Sequence, residues 1–375
     1  MDETLYVGTR KGLFTLRREG EHWSAVSSTP EFRGEPVSMV LQDPRDDVLY
    51  VALNLGHFGV KLWRRTPGDT EWTACAAPAF PAVGNDDAGS GEGGEGGGVA
   101  DSDAPSVEQI WCLEASGADA PGELWAGTIP GGLFRSHDRG DTWTLVDTLW
   151  NLPERSEWMG GGYDHPGIHS ICIDPRTSAH VTIGVSTGGV WTTRDSGATW
   201  RLAAAGMEAD YMPPERRLDP NVQDVHRLVQ CAGAPDAFWA QHHNGIFRTV
   251  DGGNHWRRIQ AQPSSFGFAV AVHPDDPDLA WFVPAVKDEC RMPVDGRLIV
   301  NRTRDGGETF TALTDGLPAE PAFDLIYRHG LSIDSGGRRL AMGSTTGGLW
   351  TSPDGGDHWH CVSAHFPPIY VVRFA

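Results

Sequence analysis

Three histidines occupy the same place in three apolar runs of this chain. His169 stands in "GIHSICIDPR", His226 in "VHRLVQCAGA" and His329 in "RHGLSIDSGG". His169 lies five residues before Asp174, His329 five before Asp334 and His226 five before Cys231. The same register gives Ser38, Gln109 and Phe268 in three further runs. Imidazoles brought by separate segments to one point suit Zn2+, Mn2+ or Fe2+, and an open coordination position on such a metal allows catalysis. His169, His226, His329 and Gln109 are therefore the expected ligands of one divalent metal. The alternative is that each imidazole bonds a neighbouring carbonyl or carboxylate and only closes the surface there.

Other groups of chemical use lie in long irregular stretches. "TLWNLPERSEWMGGGYDHPG" (148–167) and "AGMEADYMPPERRLDPNVQD" (205–224) are rich in Trp, Tyr, Arg and acidic residues. Asp164 and Glu157 are candidate proton carriers, with His242 of "QHHNG" beside them as a third catalytic candidate. Arg155, Arg291 and Arg328 suit the clamping of an anionic substrate. Trp158 and Tyr211 suit stacking on a sugar ring, and equally suit pinning their own loops. His57 of "LGHFG" and His243 complete the substrate-binding set.

Repeats must position these residues. Five segments read Ser/Thr-x-Asp-x-Gly-x-x-aromatic: "SHDRGDTW", "TRDSGATW", "TVDGGNHW", "TRDGGETF" and "SPDGGDHW". Two degenerate copies precede them, ending at Trp23 and Trp72. The aspartate accepts backbone N–H groups in a tight turn, the Ser/Thr hydroxyl supports it, and the glycine takes a positive φ. The pattern is a hairpin lock, so its aspartates are read as structural. Before each lock run three short strands, and after it a fourth. Seven such units predict an all-β, seven-bladed propeller over residues 1–375, each blade a four-stranded antiparallel sheet. The first unit lacks an opening strand and the final "IYVVRF" has no unit of its own, so the two should pair and close the ring.

With these boxes the chain resembles the Asp-box (BNR-repeat), sialidase-like propellers. It is especially similar to bacterial proteins of that group labelled exo-alpha-sialidase or glycosyl hydrolase. The resemblance implies a propeller and a glycan-type substrate. Known sialidases have six blades and an Arg-Ile-Pro motif near the first box. Here the count is seven, and the nearest match, "CRMP" (290–293), comes late.

In an up-and-down blade the locks share a face with the turns between first and second strands. Those turns are short here ("DPRDD", "DPRTSA", "HPDDPD"), and every long segment falls on the opposite face. One of these, 85–104, is a Gly/acid low-complexity stretch and is expected to be a disordered loop. The first strands line the axis and begin at the elaborated face, which sets the three histidines around one mouth.

Composition limits the partners. The formal charge is −20, which disfavours nucleic acid and anionic membrane surfaces. No signal-peptide pattern or 18-residue apolar run is present, and the six cysteines show no CxxC spacing, so a reducing cytoplasm is the expected location. The leading reading is an enzyme of hydrolase or lyase type acting on a small polar or glycan-type substrate at the axial mouth, with or without a metal. The rivals are a metal-free glycoside hydrolase using paired carboxylates and a binding or assembly scaffold without chemistry.

Overall fold

The computed structural model describes residues 4–20, 22–82, 105–319 and 321–375. The stretch 85–104 expected to be a disordered loop lies outside the described residues. The chain forms seven antiparallel sheets of four strands each, one of them with an extra strand. The innermost strands are Val37–Gln42, Gln109–Ala115, Ile168–Ile173, Val225–Gln230, Gly267–Val272, Leu331–Ile333 and Ile369–Phe374. Each neighbours the next around the axis, and Ile369–Phe374 lies between the first and last of the others. It pairs antiparallel with Thr4–Thr9, joining the two ends of the chain in one sheet. The extra strand, Cys290–Pro293, folds back on Ala280–Lys287 and comes from the insertion around "CRMP".

The innermost strands alternate little in polarity because both faces are covered by neighbouring blades. The core accordingly consists of a series of inter-blade clusters, such as the one that joins Trp125, Trp158, Ile168, Ile183 and Trp191. Second-strand tryptophans lie under the locks of the next blade. Trp281 donates its indole N–H to the Gly355 carbonyl at 2.8 Å, and Trp125 packs beneath Gly197.

The locks form as their spacing predicts. Asp195 accepts the Thr199 hydroxyl at 2.6 Å, the Thr199 N–H at 2.8 Å and the Thr193 hydroxyl at 2.7 Å. Gly197 has φ of +89°, a conformation open to glycine at little cost. Asp138 and Asp305 repeat the arrangement. The threonine hydroxyls and N–H groups hold all three carboxyls down at about 2 from the ordinary 3.8. A carboxyl depressed in the folded state stabilises fully above its unfolded value, and that contribution is lost as pH falls through the folded one. The melting temperature is therefore expected to drop between about pH 4 and about pH 2. In Asp195→Asn that drop should be smaller, which a thermal melt series across this range checks. An identical drop in the variant would remove the lock from the account of acid stability.

A β-bulge interrupts the head of the inner strand in one blade after another. The register shifts between Val37 and Met39, Ile110 and Cys112, Ile168 and Ser170, Val225 and Arg227, Gly267 and Val270, and where Ile369 and Val371 face Gly8 and Thr9. The displaced residues include Ser38, Trp111, His169, His226, Phe268 and Tyr370. A bulge redirects one side chain without ending the strand, and here it does so at one level around the mouth of the axial channel.

Candidate functional site

The bulges give one wall of a cavity of about 830 Å3 at the axial mouth. Ser38, Trp111, Phe268, His329 and Tyr370 line it from the strand heads. Loops on the elaborated face add Arg10, Glu35, Phe58, Gly161, Tyr163, Arg291, Tyr327 and Arg328. The cavity thus collects three guanidinium groups and one carboxylate, Glu35, in a chain of net charge −20. It also presents six aromatic side chains.

Arg328 is the most unusual group in it. The residue is 7% exposed, and its Nε and Nη2 are buried without a hydrogen-bond partner. No carboxylate pairs with it among the described residues. Its guanidinium lies over the Trp111 ring at 4.6 Å and faces Phe268 at 5.8 Å. Burial pushes its pKa down, and the negative charge of Asp224 partly opposes this. Arg291 is held beside it by the inserted strand. Its guanidinium bonds Asp288 at 2.7 Å, donates to the Tyr327 hydroxyl at 3.4 Å and stands 5.3 Å from the Phe268 ring.

The expected residues divide sharply. Gln109, Arg291, Arg328 and His329 line the cavity. His169 and His226 share the level of the mouth but turn sideways. His169 Nε2 donates to the Val225 carbonyl at 2.6 Å and Nδ1 meets the Ser170 hydroxyl at 2.9 Å. His226 Nδ1 donates to the Gly267 carbonyl at 2.7 Å. Each of these imidazoles ties its own blade to the strand head of the next. His329 Nε2 is buried without a partner. Burial holds His169 and His329 well below the ordinary imidazole range, so both are neutral. His169, His226, His329 and Gln109 are thus not assembled into one ligand set, because the nitrogens of His169 are both engaged elsewhere.

Gln109 also stands two residues before the true level. The bulge displaces Trp111, five residues before Ser116, and Ser116 makes the strand-end turn bond that Asp43, Asp174 and Asp334 make in their blades. Counting back from Ser116 rather than Glu114 would have found Trp111. The same count from Ala375 reaches Tyr370.

The remaining candidates lie outside the cavity lining. Asp164 is exposed, and Glu157 pairs with Arg216 at 2.5 Å. Trp158 is buried and donates to Asn221 Oδ1 at 3.1 Å, while Tyr211 donates to the Val222 carbonyl at 2.6 Å; both pin their loops. Arg155 stacks on Trp150 with 3.1 Å to the ring centroid, and burial lowers its pKa to about 10. His57 is exposed and packs on Phe58, whose ring reaches the cavity. His242 is fully buried, accepts the Asn244 N–H on Nδ1 at 2.9 Å, and is pushed down to about 3 by burial. His243 reaches Asp224 Oδ2 at 3.3 Å.

Asp224 was not among the expected residues, although it directly precedes the strand that carries His226. Among the described residues, Asp224, His226 and His243 are the one group whose ligand atoms converge, all within 4.8 Å of one another. Burial pushes the Asp224 carboxyl up, but His226 and His243 outweigh it and hold the acid well below the usual carboxylate range. In turn the hydrogen bond that Asp224 accepts holds His243 above the ordinary imidazole value.

Fold and cavity together define the class: a seven-bladed β-propeller with a cationic, aromatic-lined axial cavity. No family model matches the chain. It is 25% identical over 286 residues to the "Probable oligoxyloglucan-reducing end-specific xyloglucanase" of Neosartorya fischeri, covering 68% of this chain and 32% of that protein. It is 26% identical over 155 residues to a "Xyloglucanase" of Paenibacillus sp, covering 36% of this chain and 14% of that one. The chain spans a third or less of the length of these relatives. Among solved structures it is similar to an ancestral GH74 enzyme, with a TM-score of 0.57, 15% identity, and coverage of 86% of this chain and 38% of that chain. The structure titled "YCF48 bound to D1 peptide" has a TM-score of 0.55 at 14% identity, covering 93% and 89%. At such identities the structural likeness establishes the fold alone.

Proposed function

We propose that this chain is a glycan-acting propeller whose axial cavity takes a carbohydrate-type ligand bearing an anionic group. The observation that carries the reading is the unpaired, buried guanidinium of Arg328 facing a cavity of 830 Å3 that also holds Arg10 and Arg291. An isolated buried charge costs several kcal/mol on the order of magnitude that ion desolvation sets, and a bound anion offsets that cost. Sugar rings present flat C–H faces that stack on aromatic side chains, and Trp111, Tyr163, Phe268, Tyr327 and Tyr370 supply such surfaces. The xyloglucanase names of the sequence relatives support a glycan rather than another small anion.

The chemistry beyond binding depends on Glu35. Double-carboxylate glycoside hydrolysis needs two carboxyl groups roughly 5–9.5 Å apart across the scissile bond. Glu35 is the one carboxylate in the lining, so the cavity supports recognition more directly than cleavage. The test is calorimetry with matched oligosaccharides, one neutral and of xyloglucan type, one containing uronic acids. The acidic ligand is expected to bind at least about 10-fold more tightly, with affinity falling as salt screens the arginines. Equal affinity for both, or binding of neither, would overturn the anionic reading. Release of reducing ends during the same incubation would add hydrolysis to recognition.

A further inference from the structure

We infer that Asp224, His226 and His243 form a binding site for one divalent first-row metal ion, set against the wall of the axial cavity. The three come from one blade. Asp224 precedes the inner strand, His226 is its displaced second residue, and His243 lies in the turn between Phe238–His242 and Gly245–Thr249. The His243 N–H donates to the Asp224 carbonyl oxygen at 2.9 Å, which fixes the turn against the strand head.

The tautomer of His226 is set by its neighbour. A carbonyl only accepts, so the bond from Nδ1 to Gly267 keeps a proton on Nδ1 and makes Nε2 the nitrogen that can turn to a metal. That nitrogen faces Asp224 Oδ2 at 3.6 Å. At this separation the two atoms are too far apart for a good hydrogen bond, so neither satisfies the other. Donors about 2.0–2.2 Å from one metal stand roughly 3.0–3.5 Å apart in octahedral or tetrahedral geometry. The separations from Asp224 Oδ2 are 3.6 Å to His226 and 3.3 Å to His243, and all three ligand atoms lie within 4.8 Å of one another, so a shift of the two imidazoles toward each other would close the site.

A second observation is independent of the cluster's own contacts. Asp224 is 6% exposed, and its Oδ1 is buried with no hydrogen-bond partner. Such an oxygen keeps its full desolvation cost until a donor or a cation meets it, and a metal ion held by Oδ2 and the two imidazoles would place a cation beside it. The surroundings are those of a metal centre, with His226 stacked on Phe268 at 4.6 Å and Phe266 and Tyr211 set edge-on to the histidines. A dry shell of this kind strengthens the pull on a cation, and the Gly267 carbonyl orients His226 from behind. The site also adjoins the cavity. Gly161 lines the cavity, and a Cβ there would stand 2.9 Å from Asp224 Oδ1. Two imidazoles and a carboxylate suit Zn2+, Fe2+ or Mn2+.

The experiment uses the full, untagged chain after chelation, titrated with Zn2+ by calorimetry and with Co2+ by visible absorption. One equivalent is expected to bind, and Co2+ should show the d–d bands of nitrogen and oxygen ligation. Asp224→Asn and His243→Ala should each weaken binding by at least about 10-fold, the lower end of what even supporting residues contribute. His243 is half-buried, so its variant should fold normally by circular dichroism and decide the matter if Asp224→Asn does not. Absence of saturable binding in the parent chain, or unchanged affinity in folded His243→Ala, would overturn the site. Neither result depends on a glycan, so the site stands or falls apart from the proposed cavity ligand.

Discussion

Arg328→Met is expected to make the protein more stable and less able to bind. The guanidinium is buried, carries two nitrogens without partners, and has no carboxylate within pairing distance among the described residues. Its compensation is the ring of Trp111 at 4.6 Å, worth up to about 2 kcal/mol when desolvated. Replacing buried ionic groups by apolar ones of similar volume is often neutral or stabilising by about 1–4 kcal/mol, and methionine adapts to such a slot while keeping contact with the indole. A higher melting temperature is therefore expected. Affinity for an anionic oligosaccharide should fall by at least about 30-fold, since removing one side of a buried charge pair costs about 2–5 kcal/mol. A neutral oligosaccharide should lose far less. The opposite pair of results, lower stability with unchanged affinity, would mean that Arg328 holds the mouth together rather than reads the ligand.

The contrast between His169 and Arg328 shows what can be read from a linear chain. Strand heads, locks and ring closure follow from short-range rules of alternation and turn chemistry, and the seven inner strands lie where those rules put them. The residue level around the mouth is also periodic, because in six of the seven inner strands the displaced residue lies five positions before the terminal turn, and His329 holds the same place without a bulge; the count failed only at Gln109, where the run extends to Ser116. Direction is different. Whether the His169 ring points along the axis or across to the next blade depends on the Val225 carbonyl, 56 residues away in sequence. Trp158 is taken from solvent by Asn221, 63 residues on. Arg328 is exceptional for what it lacks, and a missing partner leaves no mark on local sequence. The face that carries the cavity was legible because loop length is a local property. The set of side chains that enter it was legible only in part, because each outcome is decided by a neighbouring blade.

Removal of residues 369–375 is expected to unfold the chain rather than trim it. Ile369–Phe374 supplies the innermost strand of the blade that also holds Thr4–Thr9, and residues distant by nearly the whole sequence meet there. Its Ile369, Val371, Val372 and Phe374 are all buried, at 1%, 2%, 3% and 8% exposure. Full burial of such side chains is worth about 1.5–3 kcal/mol each, so the four together rival the roughly 5–15 kcal/mol that separates a folded domain from its unfolded state. Further losses add to this. Arg373 reaches past Val37–Gln42 to Glu114, with 2.7 Å from Nη2 to Oε2, and truncation would leave that carboxylate without its partner. Thr4–Thr9 would lose its ladder on the axial side and become an exposed edge, which favours aggregation. Removing 88–100, a stretch outside the described residues, is the matched control and is expected to leave the melting temperature nearly unchanged. The measurement is soluble yield with thermal melting by circular dichroism for both truncations. A folded, cooperatively melting protein lacking 369–375 would show that the remaining blades close without their shared strand, and the ring closure would then be incidental to stability.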